Sequence, residues 1–206
     1  MKLADHTFVI SLARRPDRIA TFRESAEYVG LESWSVFPAV DGRQHSIPFG
    51  TSGGRGLGGA MTHGEIGCFL SHVGVIRHAA RLSLSSVAVL EDDVTFADGA
   101  CESWTRFRAA VPSGWRILHL AVSRMARTRQ RSAGRRPVLL ATGCLGAYAY
   151  ILSAEGIRAF LAHPLITTMT YPVDGITAAL QTSGGWRPSL PIVKLTGTTS
   201  TLGPDD

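Results

Sequence analysis

A chain of 206 residues, 45% of them hydrophobic, can bury one sizeable core and needs no second domain. Its net charge of +5 is carried almost wholly by arginine, but the densest basic stretch, Arg124 to Arg136, has no interleaved aromatic platform, which argues against a nucleic-acid partner. No apolar run reaches the roughly 18 residues needed to cross a bilayer, and Met1 to Ser11 lacks a signal-type apolar region, so a cytoplasmic protein is expected.

Thr7 to Leu12 reads as a first strand, and Ile19 to Tyr28 as a helix with Ile19, Phe22 and Ala26 on one side and Gly30 as its stop. Trp34 to Val40 is a second strand ending at Asp41-Gly42. Gly50 to Gly59 holds six glycines and cannot build a core, so a flexible loop or a lid over substrate is expected near residues 43–61. Thr62-His63-Gly64-Glu65 has the form of a capping box, opening a helix to about Leu82 whose apolar face is Ile66, Phe69, Leu70, Val73 and Ile76.

Val87 to Phe96 is a short apolar run that contains three adjacent carboxylates, Glu91, Asp92 and Asp93. Such a cluster is stable in solvent, beside basic side chains, or around a divalent cation. In extended backbone Glu91 and Asp93 point to one side and Asp92 to the other. Arg116 to Val122, Val138 to Thr142 and Gly146 to Leu152 read as strands, and Ser153 caps a helix over Ala154 to Ala162. A helix over Pro172 to Leu180 carries Asp174 in its first turn, and Leu190 to Leu195 is a last strand. The basic stretch near residues 124–137 reads as a mobile loop, solvated or touching phosphates or an anionic membrane surface. Cys68, Cys101 and Cys144 form no Cys-x-x-Cys pair and are expected to be reduced thiols. Alternating strands and helices predict a single α/β domain with a mostly parallel central sheet flanked by helices.

Five segments in order, Val9-Ile10-Ser11-Leu12 through Arg18, Phe37 to Gly42, Gly64 to His72, Val89 to Val94 and Gly146 to Leu152, resemble glycosyltransferase family 25. That family includes bacterial lipooligosaccharide galactosyltransferases and, more distantly, collagen galactosyltransferases. Ser11 departs from it, standing where an asparagine is usual. The resemblance implies a GT-A type fold, a nucleotide-diphosphate sugar donor such as a UDP-hexose, a glycan or glycolipid acceptor, and a divalent metal, Mn2+ or Mg2+, held by an acidic motif.

Under that resemblance Asp93 and Asp92 are the candidate metal ligands, and Glu91 meets the donor ribose or a metal-bound water. Asp174 matches the family's acidic position after a proline and is the candidate base; its alternative role is to cap its helix. Leu12, Arg14, Arg18, Asp41, Ser71, His72 and Tyr148 are the candidate substrate-binding residues. Arg14 and Arg18 would reach donor phosphate or base, or be plain surface arginines. Ser71 and His72 would contact donor or order the acidic loop, and Tyr148 offers a sugar a flat face. Two rival readings are a metal-dependent phosphohydrolase, which usually needs more ligands and often two metals, and a degenerate transferase that binds sugars or scaffolds a pathway. The intact acidic triplet weighs against the second, and the short chain beyond Asp174 weighs for it.

Overall fold

The computed structural model describes residues 1–44, 61–121, 137–141 and 146–197. The glycine-rich and arginine-rich stretches expected to be loops fall outside these residues almost entirely, as does Cys144. Within them the elements run β1 (His6–Ser11), α1 (Pro16–Tyr28), β2 (Trp34–Pro38), a short 3-10 turn (Gly42–Gln44), α2 (His63–Arg81), β3 (Ser86–Glu91), β4 (Val94–Phe96), α3 (Ala100–Ala110), β5 (Ile117–His119), β6 (Val138–Leu140), β7 (Ala149–Ser153), α4 (Ala154–Leu161), α5 (Leu165–Thr168), α6 (Asp174–Gln181), β8 (Gly185–Pro188) and β9 (Val193–Leu195).

Seven strands form one sheet in the order β2-β1-β3-β7-β5-β8-β6, and β4 pairs with β9 separately. β2, β1 and β3 pair in parallel; β7 runs against both β3 and β5; β8 is parallel to β5, and β6 runs against β8. Five strands therefore point one way and two the other. The sheet is mixed, with a parallel majority.

β3 explains the arrangement. Its Val87 and Val89 face one side, with Phe69, Val73 and Ile76 of α2, Ile157 and Phe160 of α4, and Ile176 and Leu180 of α6. Its Ala88 and Leu90 face the other, with Phe22 and Ala26 of α1 and Trp104 and Phe107 of α3. A strand covered on both faces reads as a continuous apolar run, which is why Val87 to Leu90 shows no alternation. The result is a three-layer α/β/α domain. No helix among the described residues is long and apolar enough to cross a membrane.

Local details differ from the sequence reading in physically simple ways. α1 starts at Pro16, whose missing N–H costs nothing in the first turn, so Pro16, Asp17 and Arg18 belong to the helix and not to the loop before it. α3 was not anticipated. Neither was β8, because glycine and proline at its ends argue against a strand. The capping box at Thr62 is present: the Thr62 Oγ1 accepts the Glu65 N–H at 3.2 Å and the Glu65 carboxylate accepts the Thr62 N–H at 2.8 Å.

Two glycines allow the turn after β2 to touch α2. A Cβ on Gly67 would stand 2.6 Å from the Val40 carbonyl oxygen and 2.9 Å from the Gly42 nitrogen, and one on Gly42 would stand 1.8 Å from the His63 carbonyl oxygen. These obstacles are backbone and cannot turn aside. Gly67→Ala is therefore expected to cost about 1–3 kcal/mol through overpacking. Urea unfolding of the variant measures this, and an unchanged midpoint would contradict the contact.

Candidate active site

The site forms where β1 and β3 end side by side, with Ile10 opposite Glu91. Main-chain bonds fix the acidic turn that follows: the Glu91 N–H donates to the Tyr148 carbonyl at 2.9 Å and the Asp92 N–H to the Ile10 carbonyl at 3.2 Å. β3 ends at Glu91, and Asp92 and Asp93 lie in the turn before β4, so the extended geometry expected for all three acids holds for Glu91 alone. Asp92 turns inward, where Ser11 Oγ donates to its Oδ2 at 2.7 Å and Arg18 Nη1 to its Oδ1 at 3.4 Å. Ser11 thus anchors the acidic turn despite standing where the family usually has asparagine.

Arg18 is not a surface arginine. Its side chain is 6% exposed and lies between Asp92 and Asp93, 3.7 Å from the latter's Oδ2. Arg14 pairs with Asp41 at the rim, Nε to Oδ2 at 3.0 Å. Burial works against ionisation of Asp41, but Arg14 and the Arg43 N–H win and hold its carboxyl below the usual range.

Ser71 and His72, side by side on α2, use their polar atoms inside the protein. Ser71 Oγ donates to the Gly67 carbonyl at 2.6 Å and accepts the Val40 N–H at 2.8 Å. The His72 ring is fully buried, with Nδ1 2.9 Å from the Tyr150 hydroxyl and Nε2 3.2 Å from Glu91 Oε1. His72 thus helps order the acidic loop through Glu91, whereas Ser71 holds the segment after β2 against α2, and both border the first cavity.

Two adjoining cavities result. The first runs along Leu12, Arg14, Arg18, Asp41, Ser71 and His72. The second lies beneath Gly146, Tyr148, Pro172, Asp174 and Leu195. Cys68, Glu91 and Asp93 line both. Every residue singled out from the sequence borders one cavity or the other. Cys68 and Tyr150 carried no role in the sequence reading. Cys68 was within reach, since it lies four residues before His72 and so on the same helix face. Tyr150 was not, because its place opposite Val89 depends on long-range strand pairing.

Asp174 does not cap its helix. No side-chain cap bond forms there; its carboxylate instead meets the Gly146 and Ala147 N–H groups across the second cavity. Burial, then the charge of Glu91, raises its pKa. The same two causes, opposed by Arg18, raise Asp93 to about 7. Burial likewise lifts Asp92, over the opposing effects of Ser11 and Arg18.

Asp93 and Asp174 each retain a buried Oδ1 with no hydrogen-bond partner. Buried carboxylate oxygens are normally satisfied. Two orphaned oxygens beside a third carboxylate on one cavity are what a divalent cation with a preference for oxygen would complete. Asp93 and Asp174 each have an unpartnered oxygen to offer such an ion, whereas the carboxylate of Asp92 is already engaged.

A profile described as glycosyltransferase family 25 (LPS biosynthesis protein) matches residues 4–177. A mouse protein named inactive glycosyltransferase 25 family member 3 is 32% identical over 183 residues, 82% of this chain. A glycosyltransferase 25 family member of Drosophila pseudoobscura pseudoobscura is 42% identical over 101 residues, 45% of the chain. The chain spans 31% of the mouse protein and 16% of the fly protein. Among solved structures, that of A197 from STIV has a similar fold, with TM-score 0.51 at 10% identity, covering 93% of this chain and 84% of that one. The profile match takes in the candidate site residues from Leu12 to Asp174, and on it the chain belongs to glycosyltransferase family 25.

Proposed function

We propose that the chain is a metal-dependent glycosyltransferase that moves a hexose, galactose in the first instance, from a UDP-sugar to a glycan acceptor of the lipooligosaccharide type. The observation that carries this reading is the pair of orphaned, buried carboxylate oxygens on Asp93 and Asp174 in a family 25 chain. Mn2+, or Mg2+ in its place, would sit against Asp93 with Glu91 beside it. Bound there, it would neutralise the negative charge that develops on the departing nucleoside diphosphate.

The remaining roles belong to side chains. Arg14 and Asp41 border the first cavity next to β1, the side on which the nucleotide would lie, and Arg14 offers the diphosphate a cation. Arg18 and Ser11 keep Asp92 inward and thereby aim Asp93 outward. Tyr148 borders the second cavity, where an acceptor sugar would rest on its ring. Asp174, on the far side of that cavity, would accept the proton of the acceptor hydroxyl as the hydroxyl attacks the anomeric carbon opposite the leaving group, an inverting transfer. A raised pKa suits a base working near neutrality. Such an enzyme would work in the cytoplasm, in peripheral contact with the inner membrane face that carries its acceptor.

The mouse relative's name suggests a second reading, a sugar-nucleotide binder without turnover. One experiment addresses both. With Mn2+ present, the correct nucleotide sugar at about 100 times its Kd should stabilise the fold by about 2.7 kcal/mol, seen as a higher melting temperature. Release of nucleoside diphosphate under the same conditions identifies a transferase, and stabilisation without release identifies a binder. A panel of nucleotide sugars that leaves the melting temperature unmoved rejects both.

A further inference from the structure

We infer that Cys68, His72 and Glu91 form a second cation site, one for a thiophilic divalent ion such as Zn2+. Cys68 Sγ, His72 Nε2 and Glu91 Oε1 all lie within 4.8 Å of one another, with Sγ 3.8 Å and Nε2 3.2 Å from Oε1. Zinc bonds of about 2.0–2.3 Å place neighbouring tetrahedral ligands roughly 3.3–3.8 Å apart, so small side-chain shifts close the set. Sulfur, imidazole and carboxylate together suit zinc or cobalt, and the thiolate makes the set poor for Mg2+ or Mn2+.

The surroundings support the assignment independently. The Tyr150 hydroxyl sits 2.9 Å from His72 Nδ1. A hydroxyl accepting the proton on Nδ1 leaves the Nε2 lone pair facing Cys68 and Glu91, the arrangement in which metal-binding histidines are usually oriented by a second partner. Cys68 and Glu91 both border the two cavities, so an ion has a path in and room for a fourth ligand. Cys68 and His72 are one turn apart on α2, and Glu91 closes β3, so the ligands stand on rigid elements. Binding is a proton exchange: the Cys68 thiol gives up its proton to solvent and the thiolate takes the ion, with no change of oxidation state.

Glu91 also belongs to the carboxylate set assigned to Mn2+ under the proposed function. If that assignment holds, the thiophilic ion removes a carboxylate from the catalytic centre and acts as an antagonist of the hard cation. The binding claim itself does not depend on it.

Cobalt makes the test optical, because a cysteine thiolate bound to Co2+ gives a near-ultraviolet charge-transfer band that carboxylate-bound cobalt does not. The double variant C101S/C144S leaves Cys68 as the sole thiol. Titrated with Co2+, it should develop the band to one equivalent per chain and lose it when Zn2+ is added. Absence of the band in both the wild type and the double variant overturns the proposal, as does a band in the wild type that the double variant lacks. Nucleoside diphosphate release with Mn2+ and no cobalt band would reject this site while leaving the transferase reading in place. A band without release would do the reverse.

Discussion

Without metal, the stability that Asp93 contributes is expected to be lost as pH rises from about 4 to about 7, and Mn2+ is expected to restore it. The folded pKa of Asp93 is raised from 3.8 to about 7, so between those values the folded chain holds a proton that the unfolded chain has released. Stability from a group of this kind is fully present below the unfolded pKa and is lost as pH climbs through the folded one, here on the order of 3 kcal/mol. Asp92 and Asp174, also raised, act in the same direction. Asp5 and Asp41, whose pKa values are lowered, act in the opposite direction below about 4, and His119, whose pKa burial lowers from 6.5 to about 4, acts in the opposite direction inside this window, so the Asp93 contribution is read as the difference between wild type and Asp93→Asn. A bound cation reverses the loss by supplying the charge that Asp93 lacks.

Urea unfolding at about pH 5 and about pH 8, with and without Mn2+, measures all of this. Asp93→Asn, nearly isosteric, should keep the fold, make stability at about pH 8 rise relative to about pH 5 as the opposing His119 contribution is no longer offset by that of Asp93, and abolish both Mn2+ stabilisation and Mn2+-dependent donor binding by calorimetry. Equal Mn2+ stabilisation of wild type and variant would remove Asp93 from the site.

Asp174→Asn is the second large effect. Asparagine keeps the size of the side chain but cannot take a proton, so kcat should fall on the order of 10²-fold or more with donor affinity little changed. The helix-capping alternative foresees a normal rate; Asp174 forms no side-chain cap bond but stands in the first turn of α6, where its charge meets the helix dipole, so the rate of the variant decides between the two readings. A third outcome is informative: if Asp174 is chiefly a cation ligand, donor affinity and Mn2+ dependence should fall together with the rate. Full turnover in the variant would sink the base assignment.

Much of this geometry was legible in the sequence because it is local. The delivery of the acids to the end of β3 follows from the apolar run before them, and the start of α2 follows from a four-residue capping box. What stayed hidden is either long-range or contrary to propensity. No local pattern pairs Tyr150 with His72, because β7 runs against β3 and their contact depends on a chain reversal many residues long. Arg18 could not be known as buried until α1 was seen to begin three residues earlier, at Pro16. α3 carried a readable signal in Ala100, Trp104 and Phe107, spaced i, i+4, i+7. It starts after a left-handed Gly99 with no side-chain cap to announce it. The proposed metal-binding roles came from the family resemblance, and the structure adds the reason those acids stand where they do.

The acidic turn is held by main-chain hydrogen bonds, from Glu91 N–H to Tyr148 and from Asp92 N–H to Ile10, and by the Thr196 N–H on the Asp93 carbonyl at 2.8 Å. None of these bonds involves the side chain of Glu91 or Asp93. A descendant of this chain could exchange both acids for neutral residues and keep the same backbone trace, relieved of mutual repulsion in the bargain. Loss of chemistry in such a lineage would be silent to any comparison of shapes, and selection for stability alone would favour it. On the roles proposed above, a working member and one fallen quiet would differ at positions 91, 93 and 174 while sharing one backbone trace.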